Sequence, residues 1–300
     1  MAKKRNRRKR RLTVPTLLIL LMAVLAYFAY TYLPDLIGDV SDKNDGTVPD
    51  EIMEIHVIDV GQGDSTLFMT KNECILVDAG TNKSESDLKA YLKDIGVEKI
   101  NYAIFTHPHE DHIGGADMII NNFDVEKVIM PDADSDSKTY NSLLNALETK
   151  NTDVYKAVSG DEYSVGDIKM TLLAPNSDDY SSLNDYSVVV KLEYGNSSFM
   201  LTGDAEALSE KETMIKYSAA KLKCDFLKVG HHGSSTSTSD AFLDAVDPKI
   251  ATISCGIDNK YGHPHSETVK KLEAKGITYY RTDKLGSIVF ECDGTSIVKK

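Results

Sequence analysis

The segment Thr106–His112 has the residue types and the spacing of a metal site. It reads Thr-His-Pro-His-Glu-Asp-His and follows a mostly apolar stretch that we interpret as a buried strand. His107 and His109 can face the same way, whereas Asp111 and His112 lie beyond the turn and can serve a second ion. Imidazole and carboxylate groups suit zinc and related divalent metals. We therefore predict a metal site here rather than a histidine-rich surface loop.

Three further strand-like stretches end in residues that can bind metals. One ends at Asp204, a second ends at His231–His232, and a third leads to residues 263–265. Seven of the eight histidines lie in these three loops or in the first one, and His56 lies outside them. Polar residues gathered at strand ends are typical of a catalytic rim on an α/β scaffold. We expect the four loops to converge on one site.

The motifs in and around these loops together resemble the motif pattern of a known protein family. They are Ile-Leu-Val-Asp-Ala-Gly at 75–80, Thr-His-Pro-His-Glu-Asp-His-Ile-Gly-Gly at 106–115, Leu-Thr-Gly-Asp at 201–204 and Lys-Val-Gly-His-His-Gly-Ser at 228–234. This set resembles the metallo-β-lactamase superfamily over about residues 52–298. Three more motifs are similar to the hydrolase-like domain of ComEC-type DNA-uptake channel proteins. They are His-Val-Ile-Asp-Val-Gly-Gln-Gly-Asp-Ser at 56–65, Leu-Asn-Asp-Tyr-Ser at 183–187 and Tyr-Gly-His-Pro-His at 261–265.

The resemblance implies two divalent metal ions, Zn²⁺ or Mn²⁺, and assigns ligands to each. His107 and His109 would bind the first ion. Asp111 and His112 would bind the second ion, and Asp204 would bridge the two. The ligands would then come from loops that are far apart in the sequence, so the site depends on the fold.

Two ligand positions are open to alternatives. The last histidine of the superfamily pattern falls in His231–His232, and we assign it to His231 because that residue directly follows the strand. Many members also place a histidine before the strand that begins here at Ser187, but this chain has Leu-Asn-Asp-Tyr there. Asp185 or Asn184 would then supply an oxygen ligand and give a harder site that accepts Mn²⁺ as well as Zn²⁺. Otherwise the first site binds weakly and one ion dominates.

We assign catalytic roles to Asp111, His263 and His265. An imidazole at position 263 or 265 would hold a phosphate oxygen or protonate a leaving group, unless both are solvated loop histidines. Asp78 would orient the metal loop from behind by accepting N–H bonds from the ligands. The glycine turn at 61–65 would bring its amides to the substrate, or would be a plain hairpin.

Two hypotheses for the function follow. The first is a membrane-tethered extracellular hydrolase, a phosphodiesterase or nuclease in which two metal ions activate a bridging water for attack on phosphorus. Its substrate would be single-stranded nucleic acid, with a link to DNA uptake, or another phosphodiester such as a cell-envelope polymer. The second is a non-catalytic binding or assembly module related to the uptake channel. The sequence identifies no protein partner.

The N-terminus predicts a membrane anchor. Residues 1–11 carry eight Lys or Arg and no acid, and the following residues 12–33 carry no charge. A helix of that length just spans a bilayer core of about 30 Å, and its basic flank should stay cytoplasmic. The apolar run is longer than that of a usual signal peptide and lacks a good cleavage site, so we favour an uncleaved signal anchor. Residues 34–51 would be an extracellular linker.

The remaining residues, 52–300, are enough for one large domain. Their apolar patterns predict many strands and helices, which favours two packed sheets covered by helices on both sides. This is the four-layer αββα sandwich that the resemblance also implies. The stretch 163–174 is predicted as one strand. The pairing of the four cysteines is left open, because an exported location permits disulfides but core strands also hold free thiols.

The charge of the chain limits its partners. Without the eight basic residues of the first 11, the chain has 26 Lys and Arg against 46 Asp and Glu, a formal charge of −20. A surface this acidic repels polyanions at long range unless the site itself is locally cationic. The composition therefore counts against tight non-specific binding of DNA.

The N-terminal pattern yields a prediction about topology. The chain should stay with the membrane fraction, because eight cations precede a long apolar run and hold its basic end in the cytoplasm. Protease added to intact cells should remove the large domain and leave a small basic stub. Full protection of the chain would reverse the orientation, and a secreted product that begins near residue 30 would show cleavage instead.

Overall fold

The computed structural model describes Pro49 and residues 51–300. The predicted basic tail and membrane anchor, and nearly all of the predicted linker, lie outside these residues. Within the described range, no helix is long and apolar enough to cross a membrane. The description below therefore concerns the predicted hydrolase domain.

Two β-sheets form the centre of the described part of the chain, and they have eight and seven strands. The first sheet, in the order β15-β14-β1-β2-β3-β4-β5-β6, consists of β1 (Met53–Val57), β2 (Thr66–Met69), β3 (Cys74–Val77), β4 (Lys99–Ile104), β5 (Asp124–Met130), β6 (Asp153–Lys156), β14 (Ile288–Cys292) and β15 (Ile297–Lys299). The second sheet, in the order β13-β12-β11-β10-β9-β8-β7, consists of β7 (Glu162–Val165), β8 (Ile168–Ala174), β9 (Val189–Tyr194), β10 (Ser197–Leu201), β11 (Phe226–Lys228), β12 (Ile250–Ile253) and β13 (Thr278–Arg281). Each sheet therefore mixes parallel and antiparallel neighbours.

Helices lie between the strands along the chain. They are α1 (Glu85–Asp94), α2 (Glu110–Ile113), α3 (Ala116–Asn122), α4 (Lys138–Lys150), α5 (Ala207–Lys216), α6 (Ala219–Leu222), α7 (Asp240–Val246), α8 (Ser266–Ala274) and α9 (Thr282–Leu285). Three short 3₁₀ turns, at Asn82–Ser84, Leu183–Tyr186 and Gly230–Gly233, complete the described elements. Two of these turns lie in the loops that the sequence analysis selected.

Three apolar clusters show how these elements are layered. One cluster joins inward residues of both sheets, including Phe68 and Phe199, whose ring centroids are 5.4 Å apart. A second joins the other face of the first sheet to its helices, as at Leu88 of α1. A third joins the second sheet to α7 and α8, through Phe242 and Leu272. Three interfaces require four layers, so the predicted arrangement of two sheets with outer helices is confirmed.

The strand directions bring the ligand-bearing loops to one edge of each sheet. Strands β3 to β6 are parallel, and so are β10 to β13. Strand β1 is antiparallel to β2, which is antiparallel to β3, so β1 ends at the same edge as β3 and β4. The carboxyl ends of parallel strands are the usual place for binding sites in such sheets.

The stretch 163–174 differs from its prediction as one strand. It is a hairpin in which β7 and β8 pair antiparallel, with Val165 opposite Ile168. Gly166 occupies the turn at φ 53°, a left-handed conformation that suits a two-residue hairpin turn. The apolar alternation continues on both sides of the turn, which explains why it resembled a single strand. The four cysteines, left open above, are all buried and unpaired.

A glycine fixes the position of the metal-binding loop against its neighbour. The amide of Gly114 donates to the carbonyl of Gly80 at 2.7 Å, and the amide of Ala79 donates to the carbonyl of His112 at 2.7 Å. A Cβ at Gly114 would lie 2.2 Å from the backbone nitrogen of Asn82, so no side chain fits there. This close approach explains the glycine that follows the histidines and places His112 beside the end of β3.

Candidate metal centre

Asp204 lies at the centre of a ring of histidines at the shared sheet edge. Strand β10 ends at Leu201. Gly203, at φ 51°, then turns the chain and places Asp204 directly after the turn. The amide of Asp204 donates to the hydroxyl of Ser187 at 3.0 Å. Its carboxylate oxygens lie near a ring nitrogen of His112 (3.2 Å), His231 (3.6 Å), His232 (3.7 Å) and His107 (3.9 Å). The side chain is almost fully buried, so its charge must be balanced locally.

Asp78, at the end of β3, orients the ring of His112. One carboxylate oxygen accepts from the amide of Thr106 at 2.8 Å, and the other accepts from the Thr106 hydroxyl at 2.8 Å. The second oxygen also lies 2.7 Å from Nδ1 of His112. Because a carboxylate accepts, Nδ1 carries the proton, and Nε2 keeps its lone pair towards Asp204. Asp78 therefore lies where it can orient the metal-binding loop, the role that the sequence analysis gave it.

His107 and His109 converge on the other side of Asp204. The Thr106 hydroxyl donates to Asp78, so its oxygen can accept from Nδ1 of His107, which lies 3.2 Å away. That leaves Nε2 of His107 with its lone pair, 2.9 Å from Nδ1 of His109. Two ring nitrogens therefore point into the same space beside Asp204, as the predicted first metal site requires.

His232, rather than His231, completes the buried cluster, and the assignment to His231 is corrected accordingly. Nε2 of His232 lies 3.3 Å from Asp111, and Asp111, His112, Asp204 and His232 place their ligand atoms within 4.8 Å of one another. Nδ1 of His232 lies 3.0 Å from the carbonyl of Ser254, so it carries the proton. Nε2 is then free to bind a cation.

The backbone explains why the two rings differ in burial, although Nε2 of His231 also lies 3.6 Å from Asp204. Residues 231 and 232 both have left-handed conformations, with φ of 49° and 55°. These consecutive left-handed residues turn the second ring inwards, where it is buried. Nδ1 of His231 instead lies 3.3 Å from Glu206 and 3.2 Å from the hydroxyl of Thr236. His231 therefore lies at the wall of the site, beside the cluster.

A buried ion pair supports His232 from behind. Nζ of Lys228 lies 2.5 Å from Asp64, and both side chains are almost inaccessible to solvent. The other oxygen of Asp64 lies 3.3 Å from Nδ1 of His232. Burial alone would raise the pKa of Asp64, but Lys228 and His232 hold it at about 2. Sequence reasoning missed both roles, although Asp64 and Lys228 stand in the quoted motifs.

Asp185 does not join the cluster, contrary to its predicted role. Its carboxylate accepts from the amides of Glu206 and Ser209, at 3.1 and 3.3 Å, and so caps the start of α5. Asn184, the alternative in the sequence analysis, lines the cavity together with Asp204. Its amide nitrogen lies 3.4 Å from Glu206, and its amide oxygen is buried without a partner. The oxygen available at this position is therefore that of Asn184.

His263 and His265 differ in their surroundings. Gln62 accepts from the amide of Gly256 at 3.0 Å, so its own amide group faces Nδ1 of His263 at 3.4 Å as a donor. The proton of His263 then lies on Nε2, and its ring lines the cavity. Burial and the neighbouring histidines lower the pKa of His263 to about 4.

His265 has both ring nitrogens engaged, and it does not line the cavity. The amide of Ser235 donates to its Nδ1 at 3.0 Å, and its Nε2 donates to the carbonyl of Tyr261 at 3.2 Å. No proton is available for a leaving group. The predicted general-acid role of His265 is therefore replaced by a role in holding its loop.

The buried polar atoms of the site fit divalent cations. Among the described residues, several buried side-chain atoms lack a hydrogen-bond partner, including Nε2 of His112, Nε2 of His232, Oδ1 of Asp204 and Oδ1 of Asn184. Such atoms are costly unless something binds them. The four carboxylates at positions 64, 78, 111 and 204 face one lysine, Lys228, which leaves three excess negative charges. Nitrogen and oxygen donors with that excess charge suit two divalent ions.

The electrostatics of the cluster also favour the binding of cations. Burial opposes a positive charge on His112, but Asp204 and Asp78 outweigh it and raise the pKa of His112 well above its ordinary value. Burial likewise opposes a charge on His232, yet Asp204 and Asp64 raise its pKa to about 10. Burial favours the neutral form of Asp204, but His112 and His232 hold its pKa well below the ordinary range. A field that favours protons on these rings also favours a metal cation.

A cavity of about 940 Å³ opens onto this cluster. The residues that line it include Asp111, Asn184, Asp204, His232 and the exposed Tyr261. The volume suits a ligand of several linked groups rather than a small ion alone. The predicted residues His109, Asp111, Asp204, His231 and His263 therefore line a cleft of substrate size.

Comparison with known proteins identifies the family to which this fold and site belong. A model of the metallo-beta-lactamase superfamily matches residues 58–161 and 180–257. The chain belongs to the metallo-β-lactamase superfamily. Solved structures agree on the fold: the metallo-beta-lactamase fold protein YhfI from Bacillus subtilis aligns with a TM-score of 0.53 and 14% identity, covering 81% of this chain and all of that chain.

Curated relatives place the chain within the superfamily. It is 31% identical to ComE operon protein 3 of Bacillus subtilis, over 79% of this chain and 33% of that protein. It is 30% identical to Recombination protein 2 of Haemophilus influenzae, over 73% of this chain and 26% of that protein. The chain thus spans a third or less of the length of these relatives. The resemblance to the superfamily and to its ComEC-type branch is confirmed.

The two histidines of the 3₁₀ turn should differ in metal binding. His232→Ala should reduce the number of bound divalent ions from two to about one, because it removes a buried nitrogen of the cluster. His231→Ala is the matched control and should keep both ions. Metal analysis of the purified, dialysed proteins measures the difference. Equal losses in the two variants would contradict the geometry.

The ion pair beneath His232 should contribute strongly to stability. Lys228→Met should lower the free energy of unfolding by about 3–5 kcal/mol, because Asp64 is left buried without its partner. Adding Asp64→Asn to that variant should restore part of the loss. The exposed pair Lys223–Asp247, at 3.1 Å, is the control, and Lys223→Met should barely change stability. Urea denaturation tests this, and equal effects of the two lysine variants would refute it.

Proposed function

We propose that this chain is a metal-dependent phosphodiesterase that cleaves single-stranded nucleic acid. One observation carries the proposal most: four histidines and two aspartates converge, with unpaired buried ligand atoms, at the floor of a solvent-open cleft. Superfamily hydrolases with this fold are generally metal-dependent. None of the groups in the cluster is a serine or cysteine placed for covalent attack, which favours direct hydrolysis.

We assign the ligands as follows. His107, His109 and Asp204, with the amide oxygen of Asn184, would hold the first ion. Asp111, His112 and His232, with Asp204 as the bridge, would hold the second. An amide oxygen in place of a nitrogen makes the first site harder, so Mn²⁺ as well as Zn²⁺ fits it. When bound, two such ions lower the pKa of a water and neutralise charge on a phosphoryl group.

The protein groups around the cluster have separate tasks. Asp78 and the Asp64–Lys228 pair hold the rings of His112 and His232 so that each presents Nε2. His263 presents a neutral Nε2–H to the cleft and would donate a hydrogen bond to a phosphoryl or leaving-group oxygen. Because its pKa is lowered to about 4, this group acts as a hydrogen-bond donor near neutral pH rather than as a cation.

The choice of substrate rests on the relatives and on the cleft. The curated relatives include the Recombination protein 2 named above and Competence protein ComA of Neisseria gonorrhoeae. Recombination is a process of nucleic acids, which supports this substrate class. Lys83 and Lys260 are the lysines that line the cleft. Asp59, Asp87 and Glu110 also line the cleft, so the attraction for a phosphate backbone would come mainly from the bound metal ions, with a local contribution from the two lysines. Binding should therefore be weak and local.

We also propose that the domain acts outside the cell membrane, held there by the predicted anchor at residues 12–33. The basic tail and the uncharged run support this part of the proposal. A cell-envelope phosphodiester is the second candidate substrate, because the acidic surface would not oppose a polymer of lower charge. A purely non-catalytic module is disfavoured, since it has no use for a buried cluster of unpaired ligand atoms.

A substrate panel tests the proposal. The metal-loaded protein should hydrolyse single-stranded DNA faster than double-stranded DNA and faster than a lactone. Its apparent affinity should fall with salt at a log–log slope of about −1 to −2, because only two lysines line the cleft and each phosphate contact contributes roughly −0.7. Asp204→Ala should abolish both metal binding and hydrolysis. A fully metal-loaded protein that is inactive on every phosphodiester would refute the proposal.

A further inference from the structure

The loop between β12 and α8 presents an unusual surface at the mouth of the cleft. Ile257 is 74% exposed and Tyr261 is 52% exposed, and both line the cavity that contains Asp204. Two large side chains with apolar surface are therefore exposed beside the cleft. Exposed apolar groups beside a binding cleft usually contact the ligand.

This loop is held rigidly from within. The side-chain oxygen of Asn259 accepts from the amides of Tyr261 and His263, at 3.2 and 2.9 Å. Its side-chain nitrogen donates to the carbonyls of Gly256 and His263. His265 donates to the carbonyl of Tyr261, as described above. Both backbone polar groups of Tyr261 are thus fixed, and its exposed ring is pre-positioned rather than free to turn away.

A row of near-parallel rings connects Tyr261 to the metal cluster. The ring of Tyr261 lies 5.6 Å from that of His263, with an angle of 21° between the planes. The ring of His263 lies 6.1 Å from that of His232, at 29°. The ring of His263 occupies the space between the other two rings, so a base would stack on the face of Tyr261 that is turned away from His263.

A cation accompanies the outermost ring. Nζ of the exposed Lys260 lies 4.9 Å from the centroid of the Tyr261 ring. The exposed ammonium lies over the ring. A flat aromatic ring with a nearby cation is the pairing that binds single-stranded nucleic acids, since the ring stacks on a base and the cation attracts a phosphate. Lys260 is the only lysine or arginine between β12 and α8, so the attraction is local.

We propose that Tyr261, with Lys260, forms a stacking subsite for one nucleobase of a strand whose scissile phosphodiester lies at the metal cluster. The inference rests on the proposed function, because it names what the same cleft recognises. Stacking is tolerant of sequence since every base has a flat face, so this subsite would select nucleic acid over ring-less phosphodiesters without selecting a base. His265 is a positioning residue of the subsite, through the carbonyl of Tyr261.

Paired substrates test the subsite. Short oligothymidylate and the same oligomer with abasic residues are compared, both for equilibrium binding by fluorescence anisotropy and for hydrolysis by the metal-loaded protein. Tyr261→Ala should weaken binding of the base-bearing oligomer by about 5- to 150-fold, the loss of one stacked base, and should leave the abasic oligomer within about two-fold. Tyr261→Phe should bind like the wild type, because it retains the flat ring.

Control variants separate stacking from general effects. Tyr155→Ala removes another partly exposed tyrosine, on the edge strand β6 and outside the cleft, and should change nothing. Lys260→Ala should make the salt dependence shallower by about 0.7 in log–log slope for both oligomers. His265→Ala should weaken the preference for bases but not the binding of abasic DNA. Thermal unfolding of each variant identifies any loss of the fold.

The outcomes distinguish the subsite from the proposed function. Base-dependent binding that Tyr261→Ala removes, without hydrolysis, would support the subsite and refute the phosphodiesterase. Hydrolysis that is equal on base-bearing and abasic oligomers, in the wild type and in Tyr261→Ala, would refute the subsite and keep the function. Faster hydrolysis of a ring-less poly(glycerol phosphate) than of oligothymidylate would also refute the subsite. It would favour a cell-envelope polymer as the substrate.

Discussion

The burial of carboxylate charge is the constraint on which the rest of this structure depends. Asp64, Asp78 and Asp204 are nearly inaccessible to solvent at the edge of an apolar sandwich, and each would be costly without a partner. Lys228 balances Asp64, and His112 with Thr106 satisfies Asp78. The carboxylate of Asp204 has histidine rings as its potential positive partners, and the carboxylate of Asp111 also lies close to it. The fold therefore places its most costly charge where cations can be bound from the cleft.

The local backbone reflects this constraint. Three non-glycine residues of the site, Asp78, His231 and His232, have left-handed conformations that side chains rarely adopt. Each stands at the end of a parallel strand or just after it, where the chain must turn sharply to direct a side chain inwards. Such conformations persist because surrounding contacts fix them, and they are concentrated at functional sites. Here the contacts are the hydrogen bonds of the metal-binding loops.

Much of the fold and the site could be predicted from the sequence, since the strand ends and the ligand types are local features. The histidines at 107, 109 and 112 and Asp204 meet as expected. The choice between His231 and His232 failed because two consecutive left-handed residues reverse the direction that a side chain would take after a regular strand. Asp185 and Asn184 were equal candidates for an oxygen ligand in the sequence, but the carboxylate of Asp185 caps α5, which no local pattern indicates.

Other features were hidden because they depend on contacts between distant segments. The pair Asp64–Lys228 joins the turn after β1 to the end of β11, and sequence alone cannot show that they meet. His265 lost its proposed role because Ser235 and Tyr261, from two different loops, occupy both of its ring nitrogens. A lysine within an apolar strand, such as Lys228, was the one available signal, since a buried charge requires a partner.

The shared superfamily shows why the ligand cluster, rather than the fold, decides the chemistry. A metallo-β-lactamase sandwich supplies the converging loops, and the identity of each ligand determines which ions are held. Anomalous X-ray diffraction on the protein equilibrated with Mn²⁺ or Zn²⁺ tests this account most directly. We expect two anomalous peaks about 3.5–4 Å apart, with Asp204 between them. His107 and His109 should lie beside one peak, and His232 beside the other. The absence of both peaks at Asp204, or a peak bound to His231 instead of His232, would contradict it.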